Sequence, residues 1–289
     1  MQVDSRLSAC CRSVLLLLAA VLCSGCGGLT VVNALSPSDH YVAETDQAYG
    51  SEPRQKLDVY RPVNAAPDAP VVMFFYGNGW REASRGDFEF VAAALTETGY
   101  IVAIPDYRGH PDVMFPSFVE DGAAAVAWIA GQVDGIRDGR RRLFLAGHSA
   151  GAHIAAMLAF DRRYLDALEE PPAVAGFIGL SGPYDFLPLQ EGYLQEVFPE
   201  PLRERSQPIN FVSGDAPPTL LIHGADDSRV VPGNSVHLLQ ALRSHDVPAT
   251  LEIYPDTGHA RVVAALAPPL RFLGKTFDDI FEFIDDTPH

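Results

Sequence analysis

Ser149 is the residue whose surroundings best suit covalent chemistry. It sits in Gly147-His148-Ser149-Ala150-Gly151, directly after an apolar run at 143–146 and directly before a helix-forming run. G-x-S-x-G between a strand and a helix is a nucleophile elbow, a turn too tight for a Cβ on either side of the serine. Such a turn lifts the hydroxyl clear of a sheet and aims the next backbone N–H, that of Ala150, at a substrate oxygen. Serine attacks a carbonyl only when a base removes its proton, and an imidazole base needs a carboxylate to fix its tautomer. Both types stand past later strand candidates. His223-Gly224-Ala225-Asp226-Asp227 offers two adjacent acids, and Tyr254-Pro255-Asp256-Thr257-Gly258-His259 offers a histidine. The chemistry implied is acyl transfer, with Ser149 as nucleophile and His259 as general base.

Strands and helices must bring these segments together. Strand-forming runs fall at 56–60, 71–76, 100–105, 143–147, 174–180, 219–223 and 250–254. Several are continuously apolar, as strands covered on both faces of a parallel sheet must be. Between them lie helical patterns. Val119, Ala123, Val126, Ala130 and Val133 form one stripe, and Phe277, Ile280, Phe281 and Ile284 form another. Alternating strands and helices predict an α/β fold with a doubly wound, mostly parallel sheet, whose sites lie beyond the carboxyl ends of strands. No internal repeat or second domain is visible. The segment 181–217, bearing Tyr184, Phe186, Leu187, Leu189, Tyr193 and Phe198, is the one insertion able to form a small cap.

From about Tyr41 onward the chain resembles the bacterial α/β-hydrolase carboxylesterases near the feruloyl/acetyl esterase, kynurenine-formamidase-like and hormone-sensitive-lipase-like groups. The strings that carry the resemblance are FYGNGWREASRGDF, IPDYRGHPDVMFPSFVEDGAAAVAWI, AGHSAGAHIA, HGADDSRVVP and YPDTGHARV. The order Ser, then acid, then His is also that of α/β hydrolases. The resemblance implies an α/β-hydrolase fold and hydrolysis of a small-molecule ester, with neither cofactor nor metal. Its pattern H-G-x-x-D-x-x-V selects Asp227 as the triad acid and leaves Asp226 to the turn or to a cation such as Arg229. Gly77-Asn78-Gly79-Trp80 takes the place of the H-G-G-G segment, which assigns the oxyanion hole to the N–H groups of Asn78, Gly79 and Ala150. Each such donor is worth about 3 kcal/mol in the transition state. Two positions depart from the family: Tyr76 replaces a histidine and Asn78 a glycine. Short or acetylated-sugar esters suit so small a cap. The same triad serves a formamidase or amidase, and the same fold serves a non-catalytic envelope module.

The chain has 289 residues, 47% of them hydrophobic, and a formal charge of −16. The size suits one large α/β domain, and the charge opposes nucleic acid or anionic lipid as a direct partner. All four cysteines, at 10, 11, 23 and 26, lie in the first 26 residues. There Arg6 and Arg12 precede the apolar run 14–23 and then small residues, the pattern of an export signal too short to span a bilayer confidently. Cys23-Ser24-Gly25-Cys26 resembles a bacterial lipobox, although Cys23 stands where leucine is usual. The expectation is a signal at 1–25, Cys26 lipidated, a tether at 26–39 and a catalytic domain at 40–289. The protein would then be exported to the cell envelope, facing the periplasm and touching membrane only through its anchor. An ordinary cleaved secretory signal is the alternative. A mature chain without a cysteine pair has no disulfide framework and no Cys-based zinc site.

Other chemistry-bearing residues have plainer readings. His148 and His223 are expected to pack or cap strand ends, and His153 to be structural. The five-residue spacing of His148 and His153 does not fit a helical zinc pair. Asp185 suits a turn, Glu120 and Asp121 suit a helix N-terminus, and Arg140-Arg141-Arg142 a solvated run. Trp80 fits the acyl pocket or the core equally well.

Overall fold

A computed structural model describes residues 25–81, 83–190 and 192–288. The proposed signal at 1–25 therefore lies almost wholly outside the described residues. One eight-stranded sheet runs in the order β1-β2-β4-β3-β5-β6-β7-β8. The strands are β1 Tyr41–Ala48, β2 Lys56–Pro62, β3 Val71–Phe75, β4 Ile101–Pro105, β5 Leu143–His148, β6 Val174–Leu180, β7 Thr219–Gly224 and β8 Ala249–Tyr254. β2 is antiparallel to both its neighbours and every other pair is parallel. With helices alternating along the chain, this is the α/β-hydrolase architecture that the sequence implied.

Burial explains which elements were visible. Every residue of β3, β4 and β5 is buried, which requires the unbroken apolar runs seen in the sequence. The helix Ala150–Phe160 that follows the elbow is likewise buried along its whole length. β1 was not anticipated. It is an edge strand in which only Tyr41 is buried, so it shows no apolar alternation. In the last helix, Thr276–Asp286, Ile280 and Ile284 face the core as expected, whereas Phe281 stays 39% exposed.

Register aligns the functional strand ends. Phe75 pairs with Gly147, so the loop after β3 and the turn after β5 emerge side by side. His148 pairs with Leu180, Leu180 with Ile222 and Gly224 with Tyr254, which brings the ends of β5, β7 and β8 onto one rim.

The stretch expected as a tether contains a helix, Gly25–Leu35. Val32 is buried, and the Asn33 side chain donates to Gly86 O (2.7 Å) and accepts from Phe90 N (2.9 Å). The helix Glu89–Thr96 has no side-chain cap of its own. Asn33 fills that role from a distant part of the chain, which fastens the N-terminal helix to the domain.

The insertion 181–217 folds as short helical turns, including Leu194–Val197, fixed against the body. Phe115 N donates to Val197 O (2.9 Å), and Phe198 is fully buried against Trp80, Phe115, Phe118 and His153.

Candidate active site

The elbow is built by close approach. Ser149 adopts φ 56°, ψ −124°, a backbone conformation that costs a non-glycine residue about 1–3 kcal/mol. A Cβ on Gly151 would lie 2.0 Å from Phe75 O, and one on Gly147 would lie 2.5 Å from the Gly151 carbonyl carbon. Both glycines are therefore forced by packing between strand end and helix. The turn is held from outside as well: Ser149 N donates to Leu180 O (2.9 Å) and His153 N to Ser149 O (3.1 Å). The Ser149 side chain makes no cap bond. Its hydroxyl points instead to His259 Nε2 at 2.9 Å.

His259 opens the helix His259–Ala264 just beyond β8, and its Nδ1 lies 2.7 Å from Asp227 Oδ2. Asp227 is 4% exposed, and its Oδ1 accepts from the N–H groups of Arg229 and Val230, both at 3.0 Å. Burial pushes this carboxyl up, but hydrogen bonds from His223, His259 and the Val230 N–H outweigh it. The group is held well below the ordinary carboxylate range. Asp226 is exposed and spends its backbone N–H on Thr257 O (3.0 Å), while Ala225 N donates to Tyr254 O (2.8 Å). These two bonds lock the acid loop to the histidine loop. The structure thus joins Ser149, His259 and Asp227 in one line and leaves Asp226 in the turn.

The strap after β3 lies against the elbow. A Cβ on Gly77 would fall 2.7 Å from the Ser149 Cβ and 2.6 Å from His148 O, so only glycine lets the strap sit this close. Asn78 is exposed, and its carbonyl accepts from Arg81 N (3.1 Å). Ala150 begins its helix, where a backbone N–H has no helical acceptor. Gly77 thus seats the strap that carries Asn78 and Gly79 against the elbow, whose next residue is Ala150; Gly79 itself adopts φ 61°.

Tyr76, the departure from the family histidine, has a definite task. Its buried phenol donates to Asp106 Oδ1 (2.7 Å), and Tyr107 Oη donates to Tyr76 O (2.8 Å). Asp106 in turn accepts from Arg85 N (2.8 Å) and Arg85 Nη1 (2.6 Å), while Arg54 Nη2 reaches Tyr76 Oη (3.1 Å). Burial pushes the Tyr76 phenol well up, so it remains a donor. Sequence reading missed this network because its members come from four separate segments.

Trp80 closes the strap and is core rather than open pocket. It is 5% exposed, donates its indole N–H to His153 Nδ1 (3.1 Å) and meets Phe198 edge-on at 4.8 Å. His153 donates its other nitrogen to Ser206 O (2.7 Å), so this structural histidine ties strap to insertion. His148 packs its ring 4.7 Å from that of His259 and donates Nε2–H to His259 O (3.2 Å). Burial pulls His148 down to about 3 and His153 down to about 4, which keeps both neutral.

The remaining candidates fall elsewhere. Asp185 leaves the site and pairs with His237 Nδ1 (2.7 Å). Asp121 does more than face a helix dipole: it is 1% exposed and receives the Arg108 guanidinium at 2.6 Å. Arg140 is solvated as expected, but Arg141 donates to Asp134 O (2.9 Å) and Arg142 to Ile284 O (2.7 Å). Among the described residues, no three His, Cys, Asp or Glu side chains converge as metal ligands. Cys26 falls within the helix Gly25–Leu35.

Sheet order, elbow and strap define an α/β hydrolase. The model of the BD-FAE family matches residues 57–242, and the chain belongs to that family. It is 31% identical over 243 residues to Esterase LipC of Mycobacterium tuberculosis, covering 76% of this chain and 60% of the relative. It is 30% identical over 229 residues to a kynurenine formamidase of Danio rerio, covering 76% of each. It is 28% identical over 261 residues to the isoprenylcysteine alpha-carbonyl methylesterase ICME of Arabidopsis thaliana, covering 82% of this chain and 60% of the relative. The chain thus spans about three fifths of the length of that plant methylesterase. Among solved structures, Esterase B from Lactobacillus rhamnosis superposes with a TM-score of 0.76 at 21% identity, over 95% of both chains. A truncated carbohydrate esterase from gut microbiota gives 0.75 at 20% identity, over 87% of this chain and 98% of its own.

The two neutral histidines set a pH dependence of stability. Below about 6.5 an unfolded histidine takes a proton that folded His148 and His153 refuse until about 3 and 4. The unfolded state then binds more protons, so stability falls as pH falls. The limiting slope is about 1.4 kcal/mol per pH unit for each histidine. Urea unfolding at pH 7, 6 and 5 should show this decline, and His153→Phe should remove about half of it. Equal stability at all three pH values in the unsubstituted protein would contradict the assignment.

Proposed function

We propose that this chain is a serine carboxylesterase that hydrolyses small carboxylic esters through an acyl-enzyme. The observation that carries the reading is the unbroken line from Ser149 Oγ to His259 Nε2 (2.9 Å) and from His259 Nδ1 to Asp227 Oδ2 (2.7 Å). In the reaction, Ser149 Oγ bonds to the ester carbon as its proton passes to His259 Nε2. The carbonyl electrons move onto the oxygen, which the N–H groups of Asn78, Gly79 and Ala150 stabilise. Collapse breaks the ester C–O bond, and His259 returns the proton to the leaving alcohol. Water then repeats the sequence on the acyl-enzyme and releases the acid. Asp227, buried and kept ionised, stabilises the imidazolium through both halves.

Substrate size follows from the cap. Trp80 and Phe198 fill the space behind the strap, and the insertion is too short to shelter a long chain. Short acyl groups, including acetyl esters of sugars, are the substrates that suit it. The relatives named esterase and methylesterase support ester hydrolysis. The relative named kynurenine formamidase supports the second reading, a formamidase that uses the same line of residues on an activated amide.

Ser149→Ala should lower kcat on p-nitrophenyl acetate by roughly 10⁶. Asp227→Asn should lower it by about 10⁴ while Asp226→Asn changes it little. Full turnover in Ser149→Ala would sink the mechanism. A panel of p-nitrophenyl esters of rising acyl length, with N-formylkynurenine beside them, separates the two substrate classes. Rates should peak at the shortest esters. Efficient turnover of the formamide with negligible ester hydrolysis would favour the second reading.

We further propose that Cys26 carries a lipid and holds the domain at the cell envelope, facing the periplasm. The small residues Ser24 and Gly25 before Cys26 support this. The helix bearing Cys26 is docked through Val32 and Asn33, so such an anchor would keep the domain close to the bilayer. Expressed in a bacterium, the unsubstituted chain should fractionate with membranes and Cys26→Ser should not. Equal solubility of both in the periplasm would mean an ordinary secretory signal.

A further inference from the structure

His223 was expected to pack or cap a strand end, yet it also reaches the candidate triad. It sits fully buried near the end of β7, and its Nδ1 lies 2.7 Å from Ser235 Oγ on the helix Gly233–Ser244. Its Nε2 lies 2.8 Å from Val230 O and 3.3 Å from Asp227 Oδ2. A carbonyl oxygen only accepts, so Nε2 must carry hydrogen; Nδ1 is then free to accept the Ser235 hydroxyl proton. Asp227 Oδ2 is the oxygen that also meets His259 Nδ1, whereas Oδ1 is taken by the Arg229 and Val230 N–H groups. A carboxylate has about four lone-pair sites; three N–H groups bond to this one, and the single His223 Nε2–H, directed to Val230 O, is shared with Oδ2 at 3.3 Å.

We propose that His223 is a positioning residue of the triad, which with Ser235 behind it holds the Asp227 carboxylate in the one orientation that serves His259. The proposal rests on the esterase reading above. Its physical content is that Asp227 can turn only if a donor is withdrawn. The backbone donors are fixed by the loop and His259 gains and loses a proton in the proposed reaction, so His223 is the one side chain beside Oδ2 that takes no part in proton transfer. A structural histidine would merely staple Val230 to the strand. A positioning one alters the base through the acid.

The test is the pH profile of kcat and KM on p-nitrophenyl acetate for His223→Leu, His223→Gln and Ser235→Ala. The titratable groups that face the His259 ring are Asp227 after β7 and His148 at the end of β5. His148 is untouched in all three variants. His223→Leu should lower kcat by about 10- to 100-fold, by analogy with the residues that orient metal ligands, with KM nearly unchanged. A carboxylate free to turn stabilises the imidazolium less, so the acid limb of kcat should move to lower pH. His223→Gln places an amide N–H near the lost one and should recover most of the rate. Ser235→Ala should cost a few-fold. Should His223→Leu not fold, the glutamine and alanine variants carry the comparison.

An unchanged kcat in folded His223→Leu would overturn the proposal. So would a lowered kcat with an unmoved acid limb and no recovery in His223→Gln, since that marks a stapling role. Turnover by the unsubstituted protein that is lost in Ser149→Ala is read first and tests the underlying esterase reading. If that control fails, the His259 Nδ1–H resonance by proton NMR still reads the carboxylate. The proposal requires it to shift or broaden in His223→Leu but not in His223→Gln, and an identical resonance in both variants overturns it.

Discussion

The left-handed turn at Ser149 is the constraint from which the rest of the site follows. A serine held at φ 56° points its hydroxyl outward only while strand and helix are pressed together behind it. That contact is the approach of Gly151 to the Phe75 carbonyl, which fixes β5, its helix and the end of β3 relative to one another. The strap after β3 is consequently placed beside Ser149, with Gly77 at the point of closest approach. Strain at the turn is offset by burial of the whole helix that follows, so local cost is met by core packing.

Electrostatics on the other side of Ser149 is arranged by the same rim. β7 and β8 end together, and their loops exchange backbone hydrogen bonds before any side chain takes part. The acid is then buried but surrounded by donors, while His148, beside the base, is kept uncharged by burial. A charged His148 would repel positive charge on the His259 ring 4.7 Å away. A neutral one packs against it and holds its backbone carbonyl.

Much of this was legible because it is local. The elbow, the acid loop and the histidine loop are short strings whose residue types are dictated by chemistry, and the buried strands announce themselves by unbroken apolar runs. What escaped was long-range or exposed. β1 carries little apolar signal because it is an edge. Asn33 caps a helix that begins more than fifty residues later, so a docked helix lies in the stretch expected as a tether. Tyr76 looked like a lost histidine until Asp106, Arg85 and Arg54 supplied its partners. His223 and Asp227 are close in sequence, but their meeting depends on the bend of the loop between them.

In the proposed reaction Ser149 attacks a carbonyl whose oxygen is received by the strap and the elbow helix. A crystal structure of the protein inhibited by a short-chain alkyl phosphonate tests it most directly. Phosphorus should be bonded to Ser149 Oγ, with a phosphonyl oxygen about 2.7–3.1 Å from the backbone nitrogens of Asn78, Gly79 and Ala150. An adduct on another residue, or a phosphonyl oxygen turned away from those three N–H groups, would contradict it.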